Sequence, residues 1–337
     1  MAVRIGFDHY TISHRGLTPE ATLAFAREHG FDGVQFLEPS SLDRALGPTH
    51  LAAIRRAAEH LGLYLEVGLP SPNPVRRSRE EDRTILPAEH ARDLAAHVEA
   101  VAALGCRYAR AYVGDRHDRF RTDFPWKEQR AATIEVLSAL APLLRERGLK
   151  VALETHADQT TDELLEMIDR VGPDIAGVTL DTGNLVMRLD DPITAVQRLA
   201  PHVLATHVKD AVLAFTTRGL VWQARPIGSG VLPMPDLLAP LLHARSDLTL
   251  SIELHPRTYD LPIYDQSWLA FFPGLRPASL AAVIRLAATC EGRYAEGALA
   301  RPEVVEAIPW AQRDLDWLAS SLGYLRQVVE MLTRLKV

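Results

Sequence analysis

Cysteine is scarce in this 337-residue chain, which has only Cys106 and Cys290. Two cysteines cannot build a disulfide framework, and without a C-x-x-C there is no thiolate cluster for zinc. A reducing compartment is expected. Long hydrophobic runs are also missing, since no window approaches the ~18 consecutive apolar residues of a membrane span. The opening MAVRIGFDHY lacks the basic region and long apolar stretch of a secretory signal. These absences lead to the expectation of a cytoplasmic protein with no membrane contact. Positive charge is not in excess either. The 37 Lys and Arg residues against 43 Asp and Glu leave a net charge of −6, which weighs against nucleic acid as a partner. The first apolar run is followed by GFDHYTISHRG rather than G-x-G-x-x-G, so a dinucleotide-binding fold has no support.

What the chain does contain is alternation. Eight short apolar runs occur in order: VRIGF, GVQFLE, YLEVGL, CRYARAYVG, KVALETHA, AGVTLDTGN, VLATHVKD and LTLSIELHP. Seven of them are separated from the next by an amphipathic helical pattern. In the first such helix Thr18 is a candidate N-cap, Pro19 sits in the first turn and Gly30 supplies the stop. Longer helices are expected over residues 87–105 and 126–148. The seventh run leads through a loop to MPDLLAPLLHAR, and PVRRSREEDR reads as a solvated loop. Strands alternating with helices imply a parallel sheet, and eight units imply an α/β fold closed as a (β/α)₈ barrel. The barrel is expected over residues 1–292, with a helix near 278–290 completing the eighth unit. Residues 293–337 form a helical extension, with Trp310, Trp317, Leu318, Leu322, Leu325, Val328, Val329 and Leu332 near helical spacing. It is expected to pack on the barrel or on a partner protomer, which allows a homo-oligomer.

In such barrels the chemistry sits at the C-terminal ends of the strands. Strand side chains alternate faces with period two. In VALETH, Ala152, Glu154 and His156 share a face opposite Val151 and Leu153. In VTLDTG, Thr179 and Asp181 oppose Val178 and Leu180. In LATHVK, Ala205, His207 and Lys209 oppose Leu204, Thr206 and Val208. In LSIELH, Ser251, Glu253 and His255 oppose Ile252 and Leu254. Four consecutive strands thus carry small residues at depth and an ionisable group near the mouth. Glu154, Asp181, His207 and Glu253 should converge there. Three carboxylates in one low-dielectric site repel unless some are protonated or a cation sits among them. Three oxygen ligands and one imidazole suit one divalent ion, Mn²⁺, Mg²⁺, Co²⁺ or Zn²⁺. The competing expectation is a salt-bridge layer using Lys209 and Arg110.

The motifs ALETH, LDTGN, THVKD and SIELHP, in this order at the ends of strands five to eight, resemble the xylose isomerase-like TIM-barrel superfamily. Within it they are most similar to the sugar phosphate isomerase/epimerase group. The resemblance implies that Glu154, Asp181, His207 and Glu253 bind one catalytic metal. It also implies that Glu154 and Glu253 act as acid and base on opposite faces of a sugar or sugar-derived keto compound, through a metal-stabilised enediolate. Many epimerases of the family carry histidine three residues after the metal aspartate, where this chain has Asn184. Asn184 can bond a hydroxyl but cannot carry a proton, which brings the sequence closer to a dehydratase or lyase branch. Lys209 is a candidate to bind a substrate oxygen or stabilise a departing one. His156, His255, Arg110 and Glu66 are further candidates for substrate contact. Gln35, Tyr112, His9 and Tyr10 could line the pocket. Gly228–Gly230 with Arg225 could contact a phosphate or carboxylate, Asp210 is expected to cap or orient a neighbour, and Asp158 needs no catalytic role.

Isomerisation or epimerisation of a small carbohydrate is therefore the first expectation. The alternative is a lyase of the inosose, dehydroshikimate or keto-glycoside type sharing the same proton abstraction. An apurinic-site endonuclease on the same fold is more remote: it needs several metal-binding histidines on earlier strands, and Glu66–Pro70 and Arg110–Gly114 contain none. A non-catalytic binding barrel is the last alternative.

Overall fold

The computed structural model describes residues 3–334. Seven strands come first: β1 (Arg4–Asp8), β2 (Gly33–Phe36), β3 (Tyr64–Val67), β4 (Tyr108–Ala111), β5 (Lys150–Glu154), β6 (Ala176–Asp181) and β7 (Val203–His207). Four more follow: β8 (Asp210–Thr216), β9 (Gly219–Arg225), β10 (Thr249–Ile252) and β11 (Thr258–Leu261). All eight expected runs are strands, with β10 as the eighth. They pair in parallel as two half-barrels, β10-β1-β2-β3 and β4-β5-β6-β7. Backbone bonds close both seams near the rim. Leu69 N–H donates to the Arg110 carbonyl at 2.7 Å and Val208 N–H to the Ser251 carbonyl at 2.7 Å. The result is a (β/α)₈ barrel.

Local chemistry places the helices. Thr18 accepts the Ala21 N–H at 3.2 Å and starts helix Pro19–Glu28. Thr160 and Glu163 form a reciprocal capping box on helix Thr161–Val171. Inside the barrel, close approach requires glycine at two positions. A Cβ on Gly6 would lie 2.2 Å from the Gly33 carbonyl oxygen, and one on Gly33 would lie 2.2 Å from the Tyr64 ring. The space they leave admits Tyr64, whose hydroxyl meets Ser251 Oγ at 3.0 Å.

Three expectations are corrected. The segment after β7 is not a plain loop. β8 and β9 form an antiparallel hairpin to which β11 adds a third strand. PVRRSREEDR begins as helix Pro74–Glu80, capped by Asn73. The eighth barrel helix is also different. Helix Pro277–Ala295 covers β8, with Cys290 and Tyr294 against Val212 and Ala214. The helix that packs on β1, β10 and helix Met234–Ala244 is Asp314–Arg334. Its Leu318, Leu322, Leu325 and Val328 enter the main core, and Arg326 bonds the Gly30 carbonyl at 2.6 Å. Residue 292 lies inside helix Pro277–Ala295, and helix Asp314–Arg334 of the extension packs on the barrel. The physical reason is that the hairpin has its own apolar face to cover and takes the first amphipathic helix available. Residues 335–337, the end of the expected extension, lie outside the described residues. Among the described residues no helix is long and apolar enough to cross a membrane.

Leu325→Ala is expected to lower stability by about 3 kcal/mol, as for a large-to-small change in a closed core. Urea unfolding followed by circular dichroism measures it. The loss should be the same at all protein concentrations, and a midpoint that moves with concentration would assign the helix to a subunit interface instead.

Candidate active site

The period-two alternation has the expected consequence at the rim. Glu154, Asp181 and His207 end β5, β6 and β7, and Glu253 follows β10. Asp181 and His207 are cross-strand partners. Opposite faces of these strands carry fully buried Val151, Leu153, Val178, Leu180 and Ile252, which anchor the strands against the helices. One ligand atom from each of Glu154, Asp181, His207 and Glu253 lies within 4.8 Å of the others, and all four residues are buried.

His207 is held from both sides. Its Nδ1 lies 3.2 Å from Glu154 Oε1 and 3.3 Å from Glu253 Oε2. Its Nε2 meets Gln35 Oε1 and lies 3.3 Å from Asp8 Oδ2. Gln35 is steadied by donating to Glu66 Oε2 at 2.7 Å. An Nε2–H aimed at Gln35 and Asp8 leaves the Nδ1 lone pair facing the carboxylates, the orientation a metal-bound histidine takes. Asp8 was not among the residues singled out from the sequence. The available signal was its place on the inward face at the end of β1, as with the other four.

The donor set fits a divalent cation. Asp8, Glu154, Asp181 and Glu253 supply four buried carboxylates. Against them stand two fixed cations. Arg110 Nε lies 2.8 Å from Glu154 Oε2. Lys209 Nζ lies 2.9 Å from Asp181 Oδ2 and 2.6 Å from Glu253 Oε2. A divalent ion with neutral His207 balances the remainder. Without one, burial pushes the Asp181 carboxyl up to about 7, helped by Glu253 and Glu154 and opposed by Lys209. Burial works against a charged His207, yet Glu253 and Glu154 raise it well above the usual imidazole range. The ion pairs of the expected salt-bridge layer are thus present, and without a divalent ion the remaining charge is balanced by protons held on His207 and Asp181.

Above this cluster opens a cavity of about 340 Å³, at the small end for ligand sites. Of the candidate substrate contacts, Arg110, His156, Asn184, Lys209 and His255 line it, as do Glu253, Tyr10 and Tyr112. Glu154 does not reach the cavity wall, because Arg110 stands beside it. Glu66 is placed elsewhere. Its carboxylate accepts from Tyr108, Thr249 and Gln35 in the barrel interior, and it borders a separate cleft at the strand beginnings with Arg4, Arg107 and Asp247. Three residues into a strand starting at the far end, it is too deep for the mouth.

The two histidines have assigned partners. His156 Nδ1 bonds the Gly114 carbonyl at 2.9 Å, and burial lowers its pKa. His255 Nδ1 bonds the Pro256 carbonyl at 2.9 Å, leaving Nε2 to receive Lys209 Nζ at 3.3 Å. Burial and then Lys209 lower His255 to about 4, so it stays neutral. Asn184 donates its amide to Asp181 Oδ2 at 2.8 Å while its N–H and that of Gly183 bond Asp181 Oδ1. Trp222, from the hairpin, fixes the same turn by donating to the Gly183 carbonyl at 3.0 Å.

Two sequence features have structural uses. Asp210 accepts the N–H groups of Gly228, Gly230 and Leu232 at 2.9–3.1 Å. The glycine loop therefore already holds a carboxylate from its own chain, and Arg225 bonds the Ala300 carbonyl at 2.7 Å. Neither borders the mouth cavity, which removes the expected phosphate contact. Asp158 is fully buried and accepts the Gly114 N–H, tying β4 to β5.

Comparison with known proteins agrees with this architecture. The family model described as xylose isomerase-like TIM barrel matches residues 23–270. The 3-oxo-isoapionate decarboxylase of Pectobacterium atrosepticum is 24% identical over 214 residues, 63% of this chain and 68% of that protein. An inosose dehydratase of Bacillus anthracis is 30% identical over 77 residues, 22% of this chain and 26% of that protein. The chain spans 26–30% of the length of other curated relatives it matches. Among solved structures, D-psicose 3-epimerase superposes with a TM-score of 0.58 at 15% identity, covering 87% of this chain and 99% of the epimerase. That likeness shows the fold. With the family model matched across most of its length, the chain belongs to the xylose isomerase-like TIM barrel family.

Proposed function

We propose that this enzyme isomerises or epimerises a sugar or sugar-derived hydroxy ketone with one divalent metal. The observation that carries the reading is the buried Glu154, Asp181, His207 and Glu253 cluster, with ligand atoms within 4.8 Å, beneath a cavity sized for a small molecule. These four residues would hold the ion, Mn²⁺, Mg²⁺, Co²⁺ or Zn²⁺ by donor type. When bound, it supplies Lewis-acid polarisation of a carbonyl and an adjacent hydroxyl. Glu253, on the cavity wall, then takes the acidified proton from the carbon between them. Glu154 is assigned the return of a proton on the opposite face, which requires Arg110 to release it. Lys209 and Asn184 orient substrate oxygens, with His156 and His255 as neutral hydrogen-bonding walls. We assign the location as cytoplasmic, on the two unpaired cysteines.

A second reading has its own support. The two curated relatives described above are a decarboxylase and a dehydratase, and Asn184 offers no proton carrier. Proton abstraction followed by departure of a β-substituent, with Lys209 facing the departing oxygen, or loss of CO₂ from a 3-oxo acid followed by protonation of the resulting enolate, would make the enzyme a lyase. One assay separates the two. Metal-loaded protein is incubated in D₂O with ketoses, inososes and 3-keto-glycosides. Deuterium appearing beside the carbonyl in an isomer of the substrate supports the first reading. A new UV-absorbing enone, or CO₂ released from a 3-oxo sugar acid added to the panel, supports the second. No exchange and no new product with any of them would overturn both. Duplex DNA is not expected to bind. Among the described residues one cluster has metal-holding spacing, and it offers a single histidine.

A further inference from the structure

We propose that the substrate carries an anionic group, a carboxylate or a phosphate, gripped at the rim of the mouth cavity by Arg116 and Arg257. The inference rests on the reading above that this cavity is the substrate site. Its wall includes five cationic side chains, Arg76, Arg110, Arg116, Lys209 and Arg257, but only two carboxylates, Asp115 and Glu253. Three of the cations are already paired. Arg76 reaches Glu80, Asp115 and Asp118, each at 3.0 Å. Arg110 is paired with Glu154, and Lys209 with Asp181 and Glu253. Both wall carboxylates are likewise engaged. Asp115 accepts the His117 N–H at 2.7 Å as well as Arg76, and Glu253 accepts Lys209.

Arg116 and Arg257 remain. Among the described residues neither has a carboxylate within ion-pair distance, yet both border the cavity. They follow β4 and β10, strands on opposite sides of the eight-stranded barrel, and border the same cavity. Arg116 stacks its guanidinium over the Tyr259 ring at 4.9 Å, which orients its donors without neutralising them. Arg257 is held at φ 103°, a region that non-glycine residues rarely occupy. The bond from its N–H to Glu306 Oε1, at 3.0 Å, keeps it there. Strain kept at a cavity rim by a tertiary contact is the pattern of a positioned functional residue. Two guanidiniums facing one opening match the planar, bidentate acceptor geometry of a carboxylate or phosphate. Both arginines are exposed, so their charges stay hydrated until an anionic group displaces the water.

Binding is measured by calorimetry on wild-type protein kept metal-free with chelator, so that affinity is read without turnover. The probes are D-fructose, D-fructuronate and D-fructose 6-phosphate. At least one anionic probe is expected to bind about tenfold or more tighter than D-fructose, the scale of one hydrogen bond to a charged group. Which of the two binds better identifies carboxylate or phosphate. In the Arg116→Gln/Arg257→Gln double variant that preference should vanish while D-fructose affinity is unchanged. Equal affinity for all three probes, no binding of either anionic probe, or a preference that survives the double substitution would overturn the proposal. Anion preference without wild-type turnover of any ketone would instead leave this subsite standing and remove the assigned reaction.

Discussion

Glu253→Gln is expected to lower turnover by about 10³–10⁴-fold with the protein still folded, the loss associated with removing a positioned general base. Glutamine keeps the shape and one acceptor oxygen but cannot take a proton. The prediction is strongest for Glu253 because it is the member of the cluster that combines a carboxylate with a place on the cavity wall. Its Oε2 sits within reach of both Lys209 and His207, so the side chain is already fixed in position. Glu154→Gln is expected to abolish turnover too, since Glu154 is both the assigned proton donor and one of the metal-holding residues. Glu154 is covered by Arg110 and lies behind the wall, so its substitution removes a metal ligand and frees an arginine toward the cavity. Each substitution removes one of the four metal-holding side chains, so metal content after dialysis is expected to fall in both, and both are assayed reloaded with metal. Glu253→Gln should show no exchange of substrate hydrogen with D₂O even when reloaded with metal. Wild-type rates in either variant would remove the acid/base assignment.

Lys209→Met is expected to destabilise metal-free protein by about 3–5 kcal/mol, the range for breaking a buried ion pair from one side. Lys209 is 1% exposed, and its ammonium reaches Asp181, Glu253 and His255. Its charged form is favoured by Asp181 and Glu253 despite a large burial penalty. Methionine fills similar volume but leaves those carboxylates facing one another. A bound divalent cation would compensate the same two groups, so the loss should shrink to about half or less in metal-loaded protein. Thermal unfolding of wild type and variant, each with metal and with chelator, measures the coupling. Equal losses in both forms would mean that the ion does not share ligands with Lys209, and the metal site would have to be reassigned.

These expectations draw on two different sources. The ring of Glu154, Asp181, His207 and Glu253 was legible because a strand has a two-residue period. Once eight strands were counted, the inward face of each followed without knowledge of any contact. Asp8, at the end of β1, obeys the same rule. The capping residues Thr18 and Thr160 are likewise local, since each bonds within its own first turn.

Other features depend on partners far away in the chain. Helical periodicity says that residues 277–295 and 314–334 must each bury a face, but not which sheet they bury it on. That was settled by the hairpin of β8 and β9, which claimed the first helix and left β1 and β10 for the second. Glu66 has the same residue type and strand setting as a mouth residue, and only its depth along β3 places it with Tyr108 and Thr249 at the other end. The Gly228–Gly230 amides look open to an anion in one dimension, and in three they are occupied by Asp210. The amino-acid order by itself therefore determined the barrel, its inward faces and the four residues that meet at the mouth, because periodicity acts over a few residues. Which helix closes the barrel, which charges are already paired, and that Arg116 and Arg257 are left facing the opening were decided by the tertiary structure, because ion pairing and burial depend on distance in space.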